Sequence, residues 1–87
     1  MFVIITYDVG EKRVNKTRKI FKKYLTWTQN SVFEGEITEG KLIKCLNELY
    51  TIFDKQEDSL YIYKIANNKN IKKDVVGKEK NFDDLFI

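Results

Sequence analysis

The 87-residue sequence predicts a single α+β domain whose elements run β-α-β-β-α-β, followed by an apolar stretch that reads as one more strand. Three observations predict it. Residues 2–7 form an unbroken run of apolar and β-favouring side chains, residues 11–25 and 38–53 place apolar side chains at helical spacing, and residues 59–65 alternate with a period of two. At 43% hydrophobic and 14% aromatic the chain is apolar enough to fold. A domain of this size buries only about 60–65% of its unfolded surface, so a thin core and self-association are expected.

The first strand sends Phe2, Ile4 and Thr6 to one face and Val3, Ile5 and Tyr7 to the other, the pattern of a central strand covered on both sides. Asp8 stands where that strand stops, with Gly10 two residues on. Such an aspartate either turns the chain and caps the next helix, or is a carboxylate that a rigid element presents to a ligand. Beyond Gly10, the spacing of Val14, Thr17, Phe21, Tyr24 and Leu25 predicts an amphipathic helix over residues 11–25. At about 100° per residue, Lys12, Lys16, Lys19 and Lys23 lie within roughly 60° of one another on its opposite side.

Charge is unevenly spread under the overall +3. Residues 11–25 carry Lys12, Arg13, Lys16, Arg18, Lys19, Lys22 and Lys23 against Glu11 alone, and the rest of the chain is net acidic. A lysine row is often just a solvated face. The scarcity of acidic neighbours points instead towards a polyanion. A phosphate approaching Asp8 would also meet the free N–H groups of the first helical turn, with Arg13 nearby.

Residues 26–29 read as a short strand, Gln29-Asn30-Ser31 as a tight connection or bulge, and residues 31–37 as the next strand. Phe33 and Ile37 share one face of it. Val32, Glu34 and Glu36 share the other, the glutamates being either its wet side or a pair of ligands. Thr38 is the expected N-cap of a second helix reaching about Phe53, and Cys45 falls on that helix's buried stripe as a core residue. After a polar turn at 54–58, Leu60 and Ile62 share a face with Lys64, and Tyr61, Tyr63 and Ile65 take the other. If the first of these faces meets the helices, the tyrosines form a surface that a partner can cover. Residues 67–70 form a loop. Residues 71–87 are too apolar for a free tail and are expected to dock as a strand on a sheet edge, of this chain or of a partner. The chain thus divides into a core, residues 1–70, and a docking tail, residues 71–87. The order of elements is that of a ferredoxin-like βαββαβ sandwich with an extra C-terminal strand.

With one cysteine and no histidine, an internal disulfide, a zinc cluster and serine–histidine or cysteine–histidine catalysis are all excluded. Any hydrolysis must rest on carboxylates, a hard metal ion, lysine or tyrosine. No secretion signal is seen and no apolar run approaches the roughly 20 residues of a membrane span, so a cytoplasmic protein with no membrane partner is expected.

In this order, the strand Val3-Ile4-Ile5-Thr6-Tyr7-Asp8, the basic helix with Arg13 and Arg18, the run Gln29-Asn30-Ser31-Val32-Phe33-Glu34-Gly35, and the late strand followed by Gly77-Lys78 resemble the CRISPR adaptation family Cas-two, also called the CRISPR-associated endoribonucleases. The resemblance spans the whole chain. It implies a homodimer whose sheets meet face to face, with the C-terminal strand extending the partner's sheet. It implies that Asp8 is the catalytic and metal-binding residue, each copy contributing one carboxylate to a shared Mg²⁺ or Mn²⁺. The activity implied is weak metal-dependent endonuclease cleavage of single-stranded RNA or duplex DNA. Lys12, Arg13, Lys16, Arg18, Lys19 and Lys23 would hold the phosphate backbone. Gln29 and Ser31 would support the site, or simply form a hydrogen-bonded bulge.

The resemblance implies a second role as well. The dimer bridges the integrase Cas-one and supports duplex DNA during spacer acquisition, with the chemistry belonging to the partner. Two alternatives stand beside these. One is a stand-alone ribonuclease toxin of the VapD type. The other is a ferredoxin-like ligand-binding or acylphosphatase-like module, against which Gly10 is alone where a glycine-rich phosphate loop is needed.

Overall fold

Strand β1, Phe2–Asp8, sits inside a four-stranded antiparallel sheet of order β2-β3-β1-β4, in a computed structural model that describes residues 1–77. The remaining elements are α1 (Glu11–Lys22), β2 (Thr26–Gln29), β3 (Val32–Glu36), α2 (Glu39–Tyr50) and β4 (Ser59–Ile65). This is the ferredoxin-like order that the sequence predicts. β1 lies between its two partners in a register that sets Ile5 opposite both Phe33 and Ile62.

Opposed residues share a face, so Val3, Ile5, Tyr7, Phe33, Trp27, Leu60 and Ile62 all point to the helix side. Val3, Ile5 and Phe33 are wholly buried there, against Phe21 of α1 and Leu42, Cys45 and Leu49 of α2. Tyr7, Phe21, Trp27 and Phe33 form one aromatic cluster, in which Phe33 packs 5.3 Å from Phe21 and stacks on Trp27 at 6.0 Å. Cys45 is buried as expected, and burial pushes its thiol up to about 11.

The other sheet face carries Phe2, Ile4, Thr6, Val32, Glu34, Tyr61, Tyr63 and Ile65, and no element of the described chain covers it. Tyr61 is 60% exposed and Tyr63 54%. The first strand is therefore central as predicted, but within one chain only one of its faces is covered.

Both helices stop about one turn earlier than their apolar spacing suggests, for one reason. After α1 the N–H groups of Lys23 and Tyr24 bond to carbonyls three residues back, on Ile20 and Phe21. After α2, Thr51 and Ile52 do the same with Glu48 and Leu49. These tightened turns end the helices, while Tyr24 and Phe53 still pack on the core. Thr38 caps α2 as expected, its Oγ1 accepting the Lys41 N–H at 3.2 Å. The connection is tight, with Asn30 and Ser31 between β2 and β3, and a register shift between Trp27 and Gln29 sets a bulge just before it, within β2. Of the predicted tail strand, residues 71–77 adopt no regular structure and residues 78–87 lie outside the described residues.

Candidate functional site

Asp8 ends β1 opposite Ser59, the first residue of β4, and its alternation with Ile4 and Thr6 puts it on the open sheet face. It is exposed and makes no side-chain hydrogen bond or ion pair among the described residues. Next to it the Tyr7 N–H donates to the Ser31 carbonyl at 3.1 Å. The end of β1 is thereby flanked by the β2–β3 connection on one side and the start of β4 on the other.

Two residues beyond Asp8, the chain enters α1 without a cap from its own side chains. The cap comes from far along the sequence. Asp58 Oδ1 accepts the Gly10 N–H at 2.7 Å and Arg13 Nη2 at 2.8 Å. Its Oδ2 accepts Arg13 Nε at 2.6 Å and the Asp54 N–H at 2.9 Å. The carboxylate has no exposed side-chain surface. A forked Arg13 and two backbone donors hold Asp58 well below the usual carboxylate range and push Arg13 above its own. A Cβ at position 10 would fall on the Arg13 guanidinium, so a larger residue there would have to displace the fork from Asp58. The anion that the α1 N-terminus and Arg13 are built to receive is therefore this protein's own carboxylate.

The predicted phosphate-holding side chains separate into three groups. Lys12, Lys16 and Lys19 are exposed and have no carboxylate partner among the described residues. Lys23 is exposed but bonds Glu48 at 2.9 Å, and Glu48 also accepts from the Tyr24 hydroxyl at 2.8 Å. Arg13 and Arg18 turn inward. Arg13 belongs to Asp58. Arg18 lies 4.9 Å over the Trp27 ring, beside the Tyr7 hydroxyl, whose pKa burial raises and Arg18 partly restrains.

Gln29 and Ser31 take part through their backbones. Trp27 Nε1 donates to the carbonyls of Gln29 and Asn30 at 3.0 and 3.2 Å, and the Tyr7 hydroxyl donates to Asn30 at 3.3 Å. The side chains of Gln29 and Ser31 are exposed, so the connection is a hydrogen-bonded bulge held from beneath by Trp27 and Tyr7. Glu34 and Glu36 lie on the open face, paired with Lys73 and with the amino group of Met1.

Mg²⁺ or Mn²⁺ takes one or two carboxylates and keeps several waters. Among the described residues no three acidic or sulfur ligands cluster. Asp8 is thus an exposed carboxylate with no side-chain partner among the described residues, at the end of the central strand. One such carboxylate, with the rest of the coordination left to water, would fit a weakly held divalent ion. Sequence reading missed Asp58, which it placed in an ordinary polar turn. The available signal was an aspartate directly before an alternating strand, with Arg13 set off from the lysine row. No described helix is long and apolar enough to cross a membrane.

A sequence model of the family described as CRISPR associated protein Cas2 matches residues 1–73. The chain is 60% identical over 79 residues to a Thermodesulfovibrio yellowstonii protein named CRISPR-associated endoribonuclease Cas2 3, spanning 91% of this chain and 90% of that one. It is similar to a solved structure titled "Crystal structure of cas2", with 44% identity, a TM-score of 0.80, and 92% and 90% of the two chains covered. It is also similar to Streptococcus pyogenes Cas2 solved at pH 6.5, with 30% identity, a TM-score of 0.76, and 88% and 100% covered.

Proposed function

The chain belongs to the CRISPR associated protein Cas2 family, and from that premise we propose that it is a dimeric nucleic-acid-binding subunit of CRISPR adaptation with a weak, metal-dependent endonuclease activity at Asp8. The observation that carries this reading is the pairing of one exposed, unpartnered carboxylate with a neighbouring helix whose Lys12, Lys16 and Lys19 are equally unpartnered. Unpaired lysines on a helix track a phosphate backbone without reading bases. The apolar, tyrosine-rich open face suits a second copy, and a second copy supplies the second Asp8. The related Thermodesulfovibrio protein is named an endoribonuclease, which favours RNA as one substrate. Two lysine faces on a dimer favour duplex DNA as the other, held while it is presented to the Cas-one integrase.

In this reading each part has its own task. The lysines of α1 hold the phosphodiester backbone against the protein. Asp8, at the end of a rigid central strand, anchors the divalent ion. When bound, the ion supplies Lewis-acid charge for the phosphate oxygens and lowers the pKa of a coordinated water. Tyr7 and Trp27 keep the flanking bulge in place, so that the approach to Asp8 stays open. With no histidine to act as a general base, turnover is slow, in keeping with a subunit whose main work is holding nucleic acid.

The test is cleavage of labelled single-stranded RNA and duplex DNA by wild type and Asp8→Ala, with and without Mg²⁺ or Mn²⁺, after sedimentation shows both to be dimers. Metal-dependent cutting that disappears in Asp8→Ala is expected. Equal cutting by both proteins removes Asp8 as the catalyst. Salt-sensitive duplex binding without any cutting leaves only the binding role.

A further inference from the structure

We infer that Asp58 is a positioning residue for Asp8, the two being joined through the backbone of Gly10. The inference rests on the reading of Asp8 as the metal-binding carboxylate. Asp8 has no side-chain partner among the described residues, so its direction is set by the backbone alone. That backbone is pinned on both sides. Asp8 itself pairs with Ser59 in the β1–β4 ladder, and Gly10 donates to Asp58 at 2.7 Å. Only Val9, packed against the core, lies between the pins. Asp58 and Ser59 are consecutive, so one short piece of chain holds both ends of the Asp8–Gly10 segment.

The clamp has the character of a device with one setting. Both Asp58 oxygens are saturated, with two donors each, and the carboxylate is enclosed. Arg13 docks through its planar fork, which fixes angle as well as distance. Its third contact, to Glu57 at 3.0 Å, is on the surface and adds little. The glycine at position 10 leaves the space in which the guanidinium lies. The clamp is joined to the three-residue Asp8–Gly10 segment that carries the candidate ligand.

The experiment uses ¹⁵N-labelled full-length protein and Mn²⁺ alone. Paramagnetic broadening of the amides of residues 7–9 reports metal affinity, and duplex binding at fixed salt serves as a second readout. Asp58→Asn keeps size but loses the charge that Arg13 requires. It is expected to raise the half-saturating Mn²⁺ concentration roughly 10-fold, with duplex affinity within about twofold because the lysine row is untouched. Glu57→Gln is expected to match wild type in both. Wild-type Mn²⁺ affinity in a folded Asp58→Asn overturns the inference while leaving Asp8 as the ligand. If Asp58→Asn does not fold, Arg13→Lys carries the test, since it keeps the charge and loses the fork. A weakened Mn²⁺ affinity there supports the inference, and an unchanged one overturns it. Absence of Mn²⁺ broadening near Asp8 in wild type, or its persistence in Asp8→Asn, overturns the metal reading and this inference with it.

Discussion

Asp58 and Asp8 are chemically the same side chain in opposite circumstances, one enclosed and saturated, the other exposed and unpartnered among the described residues. The difference gives a pH dependence with a definite sign. Asp58 titrates well below the usual range when folded and near about 3.9 when unfolded. Its contribution to stability is therefore complete above about pH 4 and is lost as pH falls towards the depressed folded value. Urea denaturation of wild type and Asp58→Asn should show a constant stability gap from about pH 5 to 8. The gap should shrink progressively below about pH 4. A gap independent of pH down to about 2 would mean that folding does not lower the Asp58 pKa, and a gap that narrows from about pH 4 to 8 would mean that folding raises it.

The element on which most of the functional reading depends is α1, and it does two jobs on two sides. Its outer row reaches solvent, while Arg13 and Arg18 reach inward to Asp58 and to the Trp27 ring. Lys12→Ala, Lys16→Ala and Lys19→Ala should each lower the slope of log K against log salt for duplex binding by about 1. Lys23→Ala should lower it by less, because that ammonium is already paired with Glu48. Slopes equal to that of wild type in all four variants would place the polyanion elsewhere. Hydrophobic periodicity was enough to place every strand and both helices, and the alternation of Tyr61 and Tyr63 was enough to find the open face, because those signals are local. The contact between Arg13 and Asp58 was not legible, since it joins residues 45 apart, and an aspartate before a strand and an arginine off the lysine row do not by themselves identify each other as partners. For the same reason, Gln29 and Ser31 read as side-chain candidates although the fold uses their carbonyls. Only the position of Trp27 beneath the bulge reveals that.

At the scale of the whole molecule, the sheet has one finished side and one unfinished side. Phe2, Ile4, Val32, Tyr61, Tyr63 and Ile65 make the second an apolar surface edged by Glu34 and Glu36. A second copy covering it is what the family reading requires. Tyr61→Glu with Tyr63→Glu should sediment as a monomer at concentrations where wild type is dimeric, with an unchanged far-ultraviolet circular dichroism spectrum. Metal-dependent cleavage should fall with the dimer, because the proposed site takes one carboxylate from each copy. A double variant that stays dimeric would show that the copies meet through another surface.

The central place of β1 also has a consequence for how the chain comes to be folded. Phe2 pairs with Ile65, so β1 has one of its two edges satisfied by β4, the last strand among the described residues. Until Ser59–Ile65 has emerged, one edge of β1 has no partner and the loop to be closed spans most of the chain, which costs entropy before any contact repays it. Long-range pairing of this kind slows folding relative to a helical bundle of the same size. β1 therefore waits with one open edge until β4 is made, and the sheet and the Asp58 clamp are completed in the same step.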